Sequence, residues 1–115
     1  MKSATPQDTQ DHMLGAGAFT FSWWRKAVIT GEDTPDWSAT LTIEDGNGGL
    51  KTEVINHHLV LAAARKVIQH KPEYASNALV RECLNLVFNG DEADFDAPSS
   101  DELLQVMTLG EIVYG

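Results

Sequence analysis

The 115-residue chain has one cysteine, no long apolar run and no Lys or Arg after residue 81. Cys83 cannot form a disulfide within the chain, so we expect a reducing, cytoplasmic setting. No apolar run approaches the roughly 20 residues that cross a bilayer, and the N-terminus lacks the basic and apolar segments of a secretory signal. The sequence therefore argues against a disulfide scaffold and against a membrane or secreted protein.

The shortage of basic residues is confined to one end of the chain. Residues 1–81 hold 9 acidic and 8 basic residues, a balance of −1 within the total of −9. Residues 82–115 hold 8 acidic residues and no Lys or Arg, a balance of −8. Because phosphates and anionic lipids would be repelled, we expect no direct contact with nucleic acid or a membrane surface.

Residues 37–55 have the pattern of an antiparallel β-hairpin. Residues 37–43 alternate apolar and polar side chains, and residues 50–55 resume the alternation after a glycine-rich loop. Successive side chains of a strand point to opposite faces, so this period of two predicts two half-buried strands. The apolar content of 43% is enough for such a sheet to share a core with helices.

Three helices are predicted after the hairpin. The first runs from His57 to His70 with Asn56 as its cap, and the second runs from about Glu73 to Phe88. The third begins at Ser99, which with Glu102 matches a capping box. The fold class is therefore α+β, a small antiparallel sheet packed against two or three helices.

The first 36 residues are less regular. Residues 1–13 are polar and predict a mobile tail with Gly15 and Gly17 as its hinge, which leaves one domain over residues 16–115. Residues 19–23 fit either a strand or a short helix, and they feed a third strand near residues 27–30. Residues 31–36 have the composition of a turn.

Several short motifs occur together in the chain: Asp94-Phe95-Asp96, Asp101, Leu104-Gln105-Val106, the closing segment 109–115, Ser22-Trp23-Trp24 and the hairpin around Asp36-Trp37. With these motifs the chain resembles small acidic proteins of unknown function that are encoded by actinobacterial phages and their hosts. The resemblance implies a phage or mobile-element accessory protein. It transfers no activity and no functional residue to this chain.

The residue types that perform chemistry do not form a recognisable motif. His57 and His58 are adjacent and lack the spacing of a metal site, so they are interpreted as surface or capping residues, as is His70 near the end of that helix. The acidic segment after Asp91 does not match a calcium loop. Cys83 falls on the inward face of a predicted helix. We therefore predict no catalytic residue, no metal ligand and no cofactor.

A binding role is the leading hypothesis from sequence. Trp37 is assigned to the core. Trp24 is a candidate for an exposed contact, because the adjacent residues Trp23 and Trp24 cannot both point inward on a strand. A basic surface of a host protein is the expected partner of the acidic third. The proposed contact residues are Asp91, Glu92, Asp94, Asp96, Asp101, Glu102 and Trp24.

Three other interpretations remain open. The acidic third can serve solubility alone. The chain can be a structural protein that forms a homodimer through an exposed tryptophan and the tail Ile112-Val113-Tyr114. An enzyme that uses His57 or His58 with a carboxylate is the third interpretation, and it requires a deep pocket that joins those groups.

Overall fold

The computed structural model describes residues 2–15, 24–44 and 47–114, with the backbone alone at Trp24. It has an α+β fold, as the sequence predicts. The elements in chain order are α1 (Pro6–Leu14), β1 (Trp24–Thr30), β2 (Ser38–Glu44), β3 (Leu50–Asn56), α2 (His57–Gln69), α3 (Asn77–Phe88), a short 3₁₀ turn (Gly90–Glu92) and α4 (Ala97–Leu109).

The three strands form one antiparallel sheet in the order β1-β2-β3. On β2 the side chains of Ala39, Leu41 and Ile43 are buried, while the intervening polar side chains are half-buried. This confirms the hairpin and, for β2, the face on which its core lies. On β3 the alternation of apolar residues gives the wrong face: Leu50 and Val54 are exposed, and Ile55, which pairs with Ala39, is buried. The third strand is also confirmed, and it begins at Trp24, earlier than predicted.

Helix α2 contacts β3 as well as the other helices α1, α3 and α4. The Asn56 side chain accepts a hydrogen bond from the backbone N–H of Leu59 at 2.9 Å, which confirms the predicted cap. The apolar stripe of α2 is buried, and the helix packs against α3 and α4. Trp37 completes the core at 1% exposure, and its indole N–H donates to the carbonyl of Pro6 at 2.8 Å.

The N-terminal residues are helical, so the predicted tail over residues 1–13 is wrong. Thr5 and Asp8 form a capping box and Pro6 occupies the first turn, a combination that starts a helix without any apolar period. Met13 is fully buried, and the Ser100 hydroxyl donates to the carbonyl of His12. Few apolar residues were available to reveal this helix, because its inward face also uses polar side chains.

Residues 2–4 lie along the end of α3. The N–H of Lys2 donates to the carbonyl of Phe88 at 2.9 Å, and the N–H of Gly90 donates to the carbonyl of Lys2 at 2.7 Å. The N–H of Ala4 donates to the carbonyl of Leu86 at 2.7 Å. A Cβ at Gly90 would lie 2.5 Å from the Cα of Ala4, so this close approach requires glycine.

Two predicted helix starts are wrong by a few residues. Helix α3 begins at Asn77 with Ser76 as its cap, because the preceding residues form a turn in which Tyr74 has a φ of 69°. Helix α4 begins at Ala97, and its cap is Asp96 rather than Ser99. The inward residues predicted for α3 are confirmed as buried: Leu79, Cys83, Leu86 and Val87.

The predicted hinge residue Gly17 and the segment 19–23 lie outside the described residues. Among the helices that the structure describes, none is both long and apolar enough to cross a bilayer.

Candidate functional site

Glu82 is a buried carboxylate of α3 that binds the backbone at Asp94. Glu82 Oε1 accepts hydrogen bonds from the backbone N–H of Asp94 at 2.8 Å and from Asn85 Nδ2 at 3.1 Å, and Oε2 accepts from Arg81 Nε at 2.8 Å. Burial by itself would raise the pKa of Glu82, but the bonds from Arg81, Asp94 and Asn85 outweigh it and hold the pKa below its usual value. Glu82 is therefore an ionised anchor that positions the segment beginning at Asp91.

Four carboxylates of that segment are exposed to solvent: Asp91, Glu92, Asp94 and Asp96. We call these four residues the acidic segment. Asp96 also caps α4, and the hydrogen bond from the Ser99 N–H lowers its pKa. The charge of Arg81 interacts with part of the acidic segment. The pKa of Arg81 is raised first by the hydrogen bond and charge of Glu82 and then by the charges of Asp96 and Asp94. One guanidinium thus partly offsets the charge of the segment.

Asp101 and Glu102 do not join this exposed group. Asp101 is only 6% exposed, and its Oδ2 accepts a hydrogen bond from Gln105 Nε2 at 2.8 Å. The two carboxylate oxygens of Glu102 accept from the N–H and the hydroxyl of Ser76, each at 2.9 Å. The expectation that all six carboxylates are displayed together is therefore wrong, because Asp101 is buried and Glu102 binds Ser76, the cap of α3.

These two carboxylates line a cavity instead. The cavity has a volume of about 390 Å³ and lies between α4, the turn before α3 and the C-terminal segment, residues 110–114. Its lining residues are Tyr74, Pro98, Asp101, Glu102, Ile112, Val113 and Tyr114. We call it the tyrosine cavity. Its volume lies within the range of small-ligand sites, about 300–1,000 Å³.

A buried glutamine fixes the C-terminal wall of the tyrosine cavity. Gln105 Oε1 accepts hydrogen bonds from the N–H groups of Val113 and Tyr114, each at 2.8 Å, and Gln105 Nε2 donates to the carbonyl of Tyr114 at 3.1 Å. Gly110 ends α4 with a φ of 81°, which turns the chain back toward the helix. Ile112 is then buried, while Val113 remains 54% exposed.

The opposite wall carries Tyr74, whose side chain is 78% exposed. Its φ of 69° is a left-handed conformation that costs a residue with a Cβ about 1 kcal/mol. The neighbouring Ala75 is buried, and its N–H donates to the carbonyl of Pro72 at 3.1 Å. This tight turn directs a large aromatic side chain away from the core and toward the cavity rim.

A second, polar cavity of about 140 Å³ lies beside the histidines. Asp36, Ser38, His57 and His58 are among its lining residues. His57 Nδ1 is 3.0 Å from the hydroxyl of Thr9, and burial followed by the charge of His58 lowers the pKa of His57. The cavity is well below the usual size of a ligand site, and His57 is already tied to α1.

The thiol of Cys83 is buried in α3, as predicted. Burial, followed by the charges of Glu82 and Glu102, raises the pKa of Cys83 to about 12, so the thiolate is not available near neutral pH. Within the described ranges, no group of three or more His, Cys, Asp or Glu side chains could hold a metal ion.

Trp37 is confirmed as a core residue, while the side chain of Trp24 lies outside what the structure describes. Sequence reasoning missed the tyrosine cavity, because Tyr74, Gln105 and Tyr114 are far apart along the chain. The only signal was a glutamine inside the apolar run 103–109. Comparisons of the chain with protein-family models, with curated proteins and with solved structures give no match.

Proposed function

We propose that this chain is a non-enzymatic binding protein whose acidic C-terminal third contacts a basic surface of a host protein. The partner surface would be one that otherwise holds nucleic acid, so the acidic third would act as a mimic of the phosphate backbone. Following the resemblance to phage-encoded proteins, we assign it to the accessory proteins of a phage or mobile element, acting in the cytoplasm.

The observation that carries the proposal is the exposed acidic segment at the end of α3. Four solvent-exposed carboxylates occur within six residues, and residues 82–115 contain no Lys or Arg. Glu82 is the anchor of the segment, since it binds the Asp94 N–H in a buried site. Carboxylates held in place lose less conformational entropy on binding than carboxylates on a mobile loop.

Charge of one sign would act mainly on the rate of association. It would steer a basic partner toward the acidic segment, and dissolved salt would screen this attraction over about 8–10 Å at ordinary ionic strength. Arg81 reduces the field near Asp94 and Asp96, which are the two carboxylates of the acidic segment whose charges raise its pKa. Asp91 and Glu92 are therefore the residues whose neutralisation should weaken binding with the least structural effect.

The test is capture of proteins from host lysate on the immobilised chain, at low and high salt, with identification of what is retained. We expect basic proteins to be retained at low salt and released at high salt. The double variant Asp91→Asn with Glu92→Gln should retain much less of the same proteins. If no salt-sensitive basic protein is retained, the proposal is wrong.

A matched control separates a specific surface from net charge. Glu32→Gln with Asp36→Asn also removes two exposed carboxylates, but from the turn between β1 and β2. Both double variants change the net charge from −9 to −7. If both variants reduce capture equally, the acidic segment has no special role and the charge serves solubility alone.

Self-association is the second candidate, favoured by apolar side chains that reach solvent. Val28, Val54, Val113 and Tyr114 are each more than 40% exposed. Val28 and Val54 flank Thr40 across the outer face of the sheet, since Thr40 pairs with both. The mass in solution, measured by light scattering over a range of protein concentrations, decides this candidate: a strict monomer excludes it.

A further inference from the structure

We infer that the tyrosine cavity binds the guanidinium group of an arginine side chain presented by the basic partner. This inference rests on the proposed function and adds to it the residue type that is recognised. It uses a different set of residues from the acidic segment, so the two can be tested separately.

The walls of the cavity have the aromatic character that attracts cations. Tyr74 and Tyr114 belong to its lining, and both keep a large exposed surface, 78% and 42% respectively. The face of an aromatic ring carries partial negative charge and attracts a cation within about 6 Å, and a planar guanidinium also stacks on it. Tyr74 is exposed and has a left-handed backbone conformation, and core packing does not offset the cost of that conformation. A ligand contact would account for a strained, exposed aromatic residue at this position.

The carboxylates of the lining supply the opposite charge. Each oxygen of Glu102 accepts one hydrogen bond from Ser76, and an ionised carboxylate has about four acceptor positions, so acceptor capacity remains on both oxygens. None of the salt bridges among the described residues involves Glu102. Asp101 adds a second carboxylate to the lining, held in position by Gln105.

The remaining lining suits the rest of an arginine side chain. Pro98, Ile112 and Val113 are apolar, and the methylene stem of arginine packs on such surfaces while its charged end remains in contact with water or polar groups. The five N–H donors of a guanidinium form a fixed fork that matches carboxylate oxygens in one plane. An ammonium is a more strongly hydrated point charge, so we expect lysine to bind more weakly than arginine.

The experiment is an NMR titration of the full chain with N-acetyl-arginine amide at constant ionic strength. N-acetyl-citrulline amide, which has the same shape and no charge, is the matched ligand control. We expect the backbone amides of Tyr74, Val113 and Tyr114 to shift in a saturable way with the arginine ligand and not with citrulline. Equal shifts with both ligands, or no shift in this group of amides, would overturn the inference.

Variants assign the binding to the tyrosine cavity. Tyr74→Phe keeps the ring and should keep the affinity, whereas Tyr74→Gly removes the ring and should weaken binding at least about threefold. Glu102→Gln keeps the shape and should weaken binding about tenfold. The fold of each variant is checked by its spectrum without ligand. Unchanged affinity in both Tyr74→Gly and Glu102→Gln would contradict the inference.

The double variant Asp91→Asn with Glu92→Gln separates this inference from the proposed function. It should leave the arginine affinity at the cavity nearly unchanged while it reduces capture from lysate. Capture that persists with no arginine binding at the cavity would refute the inference alone. Arginine binding with no salt-sensitive capture would instead refute the proposed function.

Discussion

Replacement of Gln105 by methionine is expected to release the C-terminal segment while the rest of the fold stays intact. Methionine has a similar length and volume, so it fills the buried site without a cavity. It has no strong donor or acceptor, and four hydrogen bonds are lost: two from the N–H groups of Val113 and Tyr114, one to the carbonyl of Tyr114 and one to Asp101.

The expected loss in the free energy of unfolding follows from these contacts. Each hydrogen bond contributes about 1 kcal/mol net, which gives about 4 kcal/mol before any relaxation. Part of this is recovered when the segment detaches, because its two N–H groups then bond to water. We therefore expect a net loss of about 2–3 kcal/mol, measured by urea unfolding followed by circular dichroism.

Hydrogen exchange gives the local readout of the same variant. The amides of Val113 and Tyr114 should exchange much faster, while amides in the middle of α2 should keep most of their protection. The control is Gln69→Met at an exposed position, which should change stability by less than about 0.5 kcal/mol. A loss below that same limit in Gln105→Met, with both tail amides still protected, would refute this account of the C-terminal wall.

Three further predictions concern single side chains. Tyr74→Gly should raise the free energy of unfolding by up to about 1 kcal/mol in urea unfolding, because glycine relieves the positive φ, whereas Tyr74→Ala should not. The pKa of His57 is lowered in the folded chain, so as the pH falls below the usual value of 6.5 this histidine is protonated in the unfolded chain before it is protonated in the folded chain. The free energy of unfolding should therefore fall as the pH drops below 6.5. In His57→Asn the difference between urea midpoints at about pH 7.5 and 5.5 should shrink. Alkylation of Cys83 at about pH 8 should proceed only as fast as the chain unfolds, because its thiol is buried with a pKa of about 12.

The part of the fold that sequence could predict is the part with regular apolar spacing. The hairpin, α2 and the inward face of α3 follow from alternation or helical periodicity, and the structure confirms them. Helix α1 has no such period, because Thr9 and Gln10 are buried beside Met13 and are satisfied by hydrogen bonds. Buried polar residues of this kind have the same sequence appearance as solvent-exposed ones.

The candidate site was predictable only in its charge. Counting acidic residues located the exposed segment correctly, but it could not show that Asp101 is buried or that Glu102 binds the cap of α3. The sequence predicted Ser99 as the cap of α4, but Ser99 is buried and its N–H donates to the side chain of Asp96, which is the cap. The tyrosine cavity has Tyr74 and Tyr114 in its lining and depends on the hydrogen bonds between Gln105 and residues 113 and 114, which no local pattern reports.

The pairing of residues 2–4 with the end of α3 has a practical consequence for anyone who handles the protein. The backbone of Lys2 bonds to both Phe88 and Gly90, directly before Asp91, so an affinity tag fused at the N-terminus would emerge beside the acidic segment. A tag after residue 115 would emerge next to Tyr114 at the mouth of the other candidate site. A single new cysteine at the exposed residue Glu32, in the turn between β1 and β2, would attach the chain at neither of these segments, and Cys83 stays protected by burial.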